Sequence, residues 1–207
     1  MAFFVDARHL FYIFLNRRNK ANRDFRHERG FTLLELTMSL AIIAVLVGGI
    51  VLFFSSASAS QKTADAMYEL GDIQQAVHSM YSGQANYSSL GANGAQIISQ
   101  SQQIPAKWGG GTGALNDPFN GAVSITAEGN AIAGGPGPNG SFVVEMDSIP
   151  TSACVKMVTQ DLGPSMLGVG VGGPPAGITG PISPVTAQAS CGGGTASSSV
   201  NIFWVFY

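Results

Sequence analysis

The 207-residue sequence predicts an α+β fold: one long N-terminal helix, then short strands and small helices. Three observations predict it. Residues 31–82 contain no Pro and change from continuously apolar to amphipathic along their length. Runs at 123–126, 142–146 and 200–207 are rich in β-branched and aromatic residues. Gly- and Pro-rich stretches separate them. Charged residues make up only 11% of the chain, against about 25% for an ordinary soluble domain. That composition excludes an acidic or basic disordered chain and a coiled coil, and two cysteines exclude a disulfide-dense miniprotein.

Charge divides the chain. Before residue 31 there are seven Lys+Arg and three acids, a balance of +4; the remainder has three lysines and nine acids, a balance of −6. Three lysines neutralise few phosphates, so no direct nucleic-acid binding is expected of the body. The basic block instead precedes an apolar run, Phe31 to Phe54, whose one charge is Glu35. As a helix this run spans about 36 Å, enough for a hydrocarbon core of about 30 Å. Basic residues stay on the cytoplasmic side of such a segment, so the predicted orientation is N-terminus in, C-terminus out. Cys154 and Cys191 then lie where thiols can oxidise.

The helix continues past the membrane segment. Met67, Leu70, Ile73, Val77 and Met80 recur at spacings of three and four, with Asp65, Glu69, Asp72 and Gln75 between them. Gly83 is the expected stop, giving a helix over 31–82 with a weak point at Gly48-Gly49. A short helix is expected over 95–102, closed by Pro105. Turns are expected at 108–111 and 116–118, strands at 123–126 and 142–146, and a loop at 133–140 between the strands. Ser148-Ile149-Pro150 is read as the opening of a helix to about Leu162, with Ala153, Met157 and Val158 on its apolar face. Ten Gly and five Pro in 163–194 predict little regular structure beyond short strands, and Gly168 to Gly173 reads as loop composition. The terminal run 200–207 is too apolar for a water-facing edge and reads as a central or subunit-covered strand.

Three readings fit the N-terminus. A secretory signal would be cut after Ala57-Ser58-Ala59, but the apolar run exceeds the usual length and the cut would discard a continuing helix. A plain anchor gives no reason for a carboxylate in the bilayer, which costs several kcal/mol. The third uses Arg29-Gly30-Phe31-Thr32-Leu33-Leu34-Glu35, which resembles the processing site of type IV prepilins: a basic leader ending in Gly, an apolar first mature residue, and Glu fifth. The segments Tyr81-Ser82-Gly83, 86–90, 120–123 and Ile149-Pro150 to Cys154 are similar to type IVb pilins of conjugative thin pili and enteric adherence pili. Many type IVb pilins do not begin with Phe, so Phe31 departs from that branch.

The resemblance implies a pilin fold: the long helix packed on an antiparallel sheet with small helices and a C-terminal region closed by a disulfide. It divides the chain into a leader, 1–30, removed by a prepilin peptidase; a membrane and filament-core half-helix, 31–54; the amphipathic half, 55–83; and a head, 84–207, with a disulfide region 154–191. It assigns processing to Gly30 and Phe31, whose new amine is methylated, and assembly to Glu35, which pairs with the Phe31 amine of a neighbouring subunit. The implied partners are other copies of the chain in a helical polymer, an inner-membrane platform with its assembly ATPase, an outer-membrane secretin and minor pilins. The subunit waits in the inner membrane and then enters an extracellular pilus for adhesion, aggregation or conjugative contact. A secretion pseudopilin and a secreted or anchored enzyme are the competing functions.

Little chemistry competes with that reading. Cys154 and Cys191 enclose 36 residues of a segment too rich in Gly and Pro to secure itself by packing; a disulfide is expected there, with two buried free thiols the alternative. His78 follows the leader as the mature chain's lone His and reads as a surface or satisfied residue. The sequence shows no nucleophile elbow, Walker motif or metal spacing, so no cofactor is expected. Asn86-Tyr87-Ser88 and Asn139-Gly140-Ser141 match the glycosylation sequon.

Overall fold

The computed structural model describes residues 32–129, 132–192 and 199–207. Helix α1 spans Leu33–Tyr81, within two residues of the expected bounds, and runs unbroken through Gly48-Gly49. By contact it belongs to two units. Residues up to Gly49 fall in the first, and Ile50–Tyr207 form the second.

In the first unit the described part of α1 is exposed throughout, and so are the apolar side chains on to Phe54. Its hydroxyls are returned to its own backbone: Thr37 Oγ1 donates to the Leu34 carbonyl and Ser39 Oγ to the Leu36 carbonyl, both at 2.9 Å. This self-satisfaction lets a polar side chain sit in an apolar medium, where no water replaces a missing bond.

In the second unit five strands form one antiparallel sheet in the order β1-β2-β3-β5-β4. They are β1 Leu115–Asn116, β2 Ala122–Ala127, β3 Phe142–Pro150, β4 Met166–Val171 and β5 Ser199–Phe206. Alternation places Phe142, Val144 and Met146 of β3 opposite Phe206, Trp204 and Ile202 of β5, all on the face covered by Leu70, Ile73 and Val77 of α1. The other face holds a smaller cluster of Ile132, Val143, Leu167 and Val205. The terminal strand is therefore central, between β3 and β4, with both faces covered. Trp204, Phe142 and Phe206 are fully buried, and burying one such side chain stabilises by about 1.5–3 kcal/mol or more.

Among the described residues the unit has three further helices: α2 Gly94–Gln100, α3 Thr151–Val158 and α4 Pro184–Ser190. Short 3-10 turns occupy Ser88–Asn93 and Ala106–Trp108.

Four sequence expectations are corrected. Ser148-Ile149-Pro150 belongs to β3, not to a helix start; a register shift between Met146 and Ile149, with Ser148 at φ 58°, carries the strand on to Pro150. Helix α3 consequently begins at Thr151 and ends at Val158, short of Leu162. Gly168 and Gly170 lie within β4, not in a loop. A Cβ on Gly170 would collide with the backbone of Gly173–Pro175, so glycine there admits the segment that folds over the strand. Glu69 is fully buried, not on the polar side of α1.

Candidate functional site

Gly30 and Phe31, the expected processing residues, lie outside the described residues. The described chain enters α1 immediately after them. Thr32 precedes the first helical turn, and its Oγ1 accepts the Glu35 N–H at 3.3 Å. Thr32 and Glu35 have the S/T-x-x-E spacing of a capping box, a helix-start signal absent from the sequence reading. Glu35 thus sits in the first turn, where a negative charge is favoured by the helix dipole. It heads an exposed apolar surface that includes Leu33, Leu34, Ile42, Val45, Leu52 and Phe53. Such a surface needs a cover of lipid or of other apolar helices. One helix among the described residues, α1, is long and apolar enough to cross a membrane.

Cys154 and Cys191 are joined by a disulfide, as expected. Cys154 projects from the buried face of α3 beside Ala153, Met157 and Val158; Cys191 caps the C-terminus of α4. Both are buried. The bond ties α4 to α3, and the Ile182 N–H adds a link by donating to the Val158 carbonyl at 2.9 Å. The intervening segment contains β4, so the disulfide fixes the chain on both sides of the edge strand.

His78 is half-buried on α1. Its Nδ1 lies 3.5 Å from the Tyr87 hydroxyl, its ring meets Phe142 edge-on, and burial lowers its pKa. It packs within an aromatic row with Tyr81, Tyr87, Phe142 and Phe206. A groove of about 430 Å³ runs beside α1, lined by residues that include Thr63, Met67, Tyr68, Lys156 and Leu162, with no carboxylate, His or Cys in its wall. No group of three or more His, Cys, Asp or Glu is arranged to hold a metal among the described residues.

The decisive match is to the family model described as Bundlin, over residues 55–207. The chain belongs to the bundlin family of type IVb pilins. A second model, the prokaryotic N-terminal methylation motif, matches residues 25–51 and takes in Gly30, Phe31 and Glu35. The pilin is 29% identical over 147 residues to the "Major structural subunit of bundle-forming pilus" of Escherichia coli O127:H6, covering 70% of this chain and 72% of that one. The same figures hold for the subunit of that title from Escherichia coli O111:H-. Among solved structures, TcpA, a type IV pilin from Vibrio cholerae El Tor biotype, superposes with a TM-score of 0.50 at 14% identity, over 71% of this chain and 99% of that one. That likeness supports the fold alone. The family is structural and not enzymatic, and a pilin of this family is a self-assembling subunit found first in a membrane and then in a pilus.

Proposed function

We propose that this pilin is the major, filament-body subunit of a bundle-forming type IVb pilus. The observation that carries the reading is the match of residues 55–207 to bundlin, joined to an apolar half-helix with its side chains exposed. The relatives named above are major subunits of bundle-forming pili, which favours filament aggregation over the conjugative role; mating contact has no separate support.

A prepilin peptidase cuts after Gly30 and the Phe31 amine is methylated. The subunit waits in the inner membrane with its N-terminus in and its C-terminus out. On assembly the apolar half-helix leaves lipid for a core of identical helices. An amine with an ordinary pKa of about 8 stays cationic after methylation. Leaving it or Glu35 unpaired in that core costs several kcal/mol, so the pairing of Glu35 with a neighbour's Phe31 amine selects depth and register. An inner-membrane platform, an assembly ATPase, an outer-membrane secretin and minor pilins supply the rest of the machinery.

The test is the composition and length of the product. Cells producing the pilin with a type IVb assembly system should shed long, bundled filaments on shearing, with this chain as their predominant protein. A short periplasmic fibre would show a pseudopilin, and trace incorporation into filaments made of another subunit would show a minor pilin.

A further inference from the structure

His78 ties the end of α1 to the chain that follows it, and one of its ring nitrogens has no partner. It lies in the last turn of α1. Its Nδ1 is 3.5 Å from the Tyr87 hydroxyl. Its Nε2 is buried and makes no hydrogen bond. The ring meets Phe142 of β3 edge-on at 5.7 Å; Phe142 in turn packs on Tyr87 at 5.0 Å and on Phe206 of β5 at 5.6 Å.

Tyr87 holds the other side of the contact. Its N–H donates to the Asn139 carbonyl at 2.8 Å, so it links the segment after α1 to the loop before β3. Its ring lies 5.5 Å from that of Tyr81, whose hydroxyl accepts from Ser89 Oγ at 3.2 Å. Loss of the His78–Tyr87 contact therefore loosens the segment that begins this side of the head.

A neutral imidazole fits this place. One nitrogen carries a hydrogen and the other a lone pair. With the hydrogen on Nδ1, the ring donates to the Tyr87 oxygen and leaves a bare lone pair at Nε2. A second proton changes the balance. It puts a positively charged N–H at Nε2, closed off from solvent and without an acceptor.

We infer that His78 is an acid-labile clasp: neutral, it holds Tyr87 against α1; doubly protonated, it leaves the aromatic row and frees Tyr87 with the segment that follows. The inference concerns the head alone and does not depend on how the pilin assembles.

The groups around the ring leave burial in control. The titratable side chains of the row are the Tyr81 phenol of α1 and the Tyr87 phenol after it; β3 and β5 present Phe142 and Phe206, which do not titrate. Burial raises the Tyr87 phenol, which keeps it a hydrogen-bonding hydroxyl. The last turn of a helix favours a positive charge, but burial prevails and holds His78 below its ordinary 6.5. The unfolded chain takes up this proton at the ordinary value, the folded chain only at lower pH. The stability is therefore whole above 6.5 and falls as pH drops below it; the loss is complete once folded His78 is itself protonated. Within that window the unfolding equilibrium changes by up to about tenfold per pH unit.

The experiment follows the full-length pilin in detergent from about pH 8 to about pH 5, the range in which histidine changes charge. In a chain carrying His9→Gln and His27→Gln the remaining imidazole is that of His78, and NMR reads its titration. Denaturant unfolding and the exchange protection of the Tyr87 amide are measured in this chain and in one that also carries His78→Gln. His78 should titrate below 6.5. Relative to the His78→Gln chain, the chain with His78 should become easier to unfold in acid by up to about tenfold per pH unit. Its Tyr87 protection should fall in step with His78 protonation. The comparison removes Glu69 and Asp117, whose carboxyls are raised by burial in both chains. A titration at or above 6.5 would overturn the clasp, since the helix end or the Phe142 ring would then favour the charge. Equal acid sensitivity in the His78→Gln chain would overturn it too. So would Tyr87 protection that stays unchanged once His78 is protonated, a readout that stands even if the His78→Gln chain fails to fold.

Discussion

At Glu35 two demands meet that a single membrane helix does not reconcile. A carboxylate lowers the comfort of the segment in lipid by several kcal/mol, yet its place in the first turn of α1 suits the helix dipole. Glu35→Val should therefore give a pilin that inserts and is processed normally, because the leader and cut site are untouched, while surface filaments collapse. Paired blots of whole-cell pilin and sheared pili check this; normal pilus length and number would remove Glu35 from assembly. The start motif made Glu35 legible in sequence. Glu69 was misplaced for an instructive reason. Its residue type led to a polar assignment, although it stands three residues after Ala66 and four before Ile73, both buried. Spacing alone puts it on the covered face. Ala66 and Ala76 escaped notice because small residues add little to an apolar pattern while allowing close packing of the helix.

Among the elements, long periodic runs were legible and glycine-rich or two-residue ones were not. Helix α1, β2 and the start of β3 carry clear periods. Strand β4 does not, because Gly168 and Gly170 replace the side chains that mark a strand; the chain folding back over them leaves no room for any. Gly170→Ala should drive its Cβ into that backbone and cost about 1–3 kcal/mol, measurable as a lower denaturant midpoint. Helix α4 had a signal that was passed over: Ser183 directly before Pro184, with Ser183 Oγ accepting the Thr186 N–H at 3.4 Å. The disulfide between α3 and the end of α4 was expected, since a segment of this composition gains most from a cross-link. Cys154→Ser should lower the stability of the head by about 2–5 kcal/mol and reduce pilin abundance, and Cys191→Ser should match it. Equal alkylation of both thiols in unreduced filaments would show that the bond does not form in the assembled pilin.

Over the whole molecule, one chain combines two parts that demand different surroundings. The head is a closed core with a central last strand and a covalent staple. The described half-helix before it is apolar, exposed and self-satisfied in its hydrogen bonds, so it is complete only in lipid or among copies of itself. Family and architecture were legible because both depend on local runs: the residues around Gly30 and the helical periodicity after them. The most direct test of the assembly route is the intact mass of the subunit from sheared filaments, before and after reduction. A chain of 177 residues beginning at Phe31, heavier by one methyl group and gaining two hydrogens on reduction, is the expected result. An unmethylated chain beginning at Ser60 would contradict it and return the N-terminus to ordinary secretion.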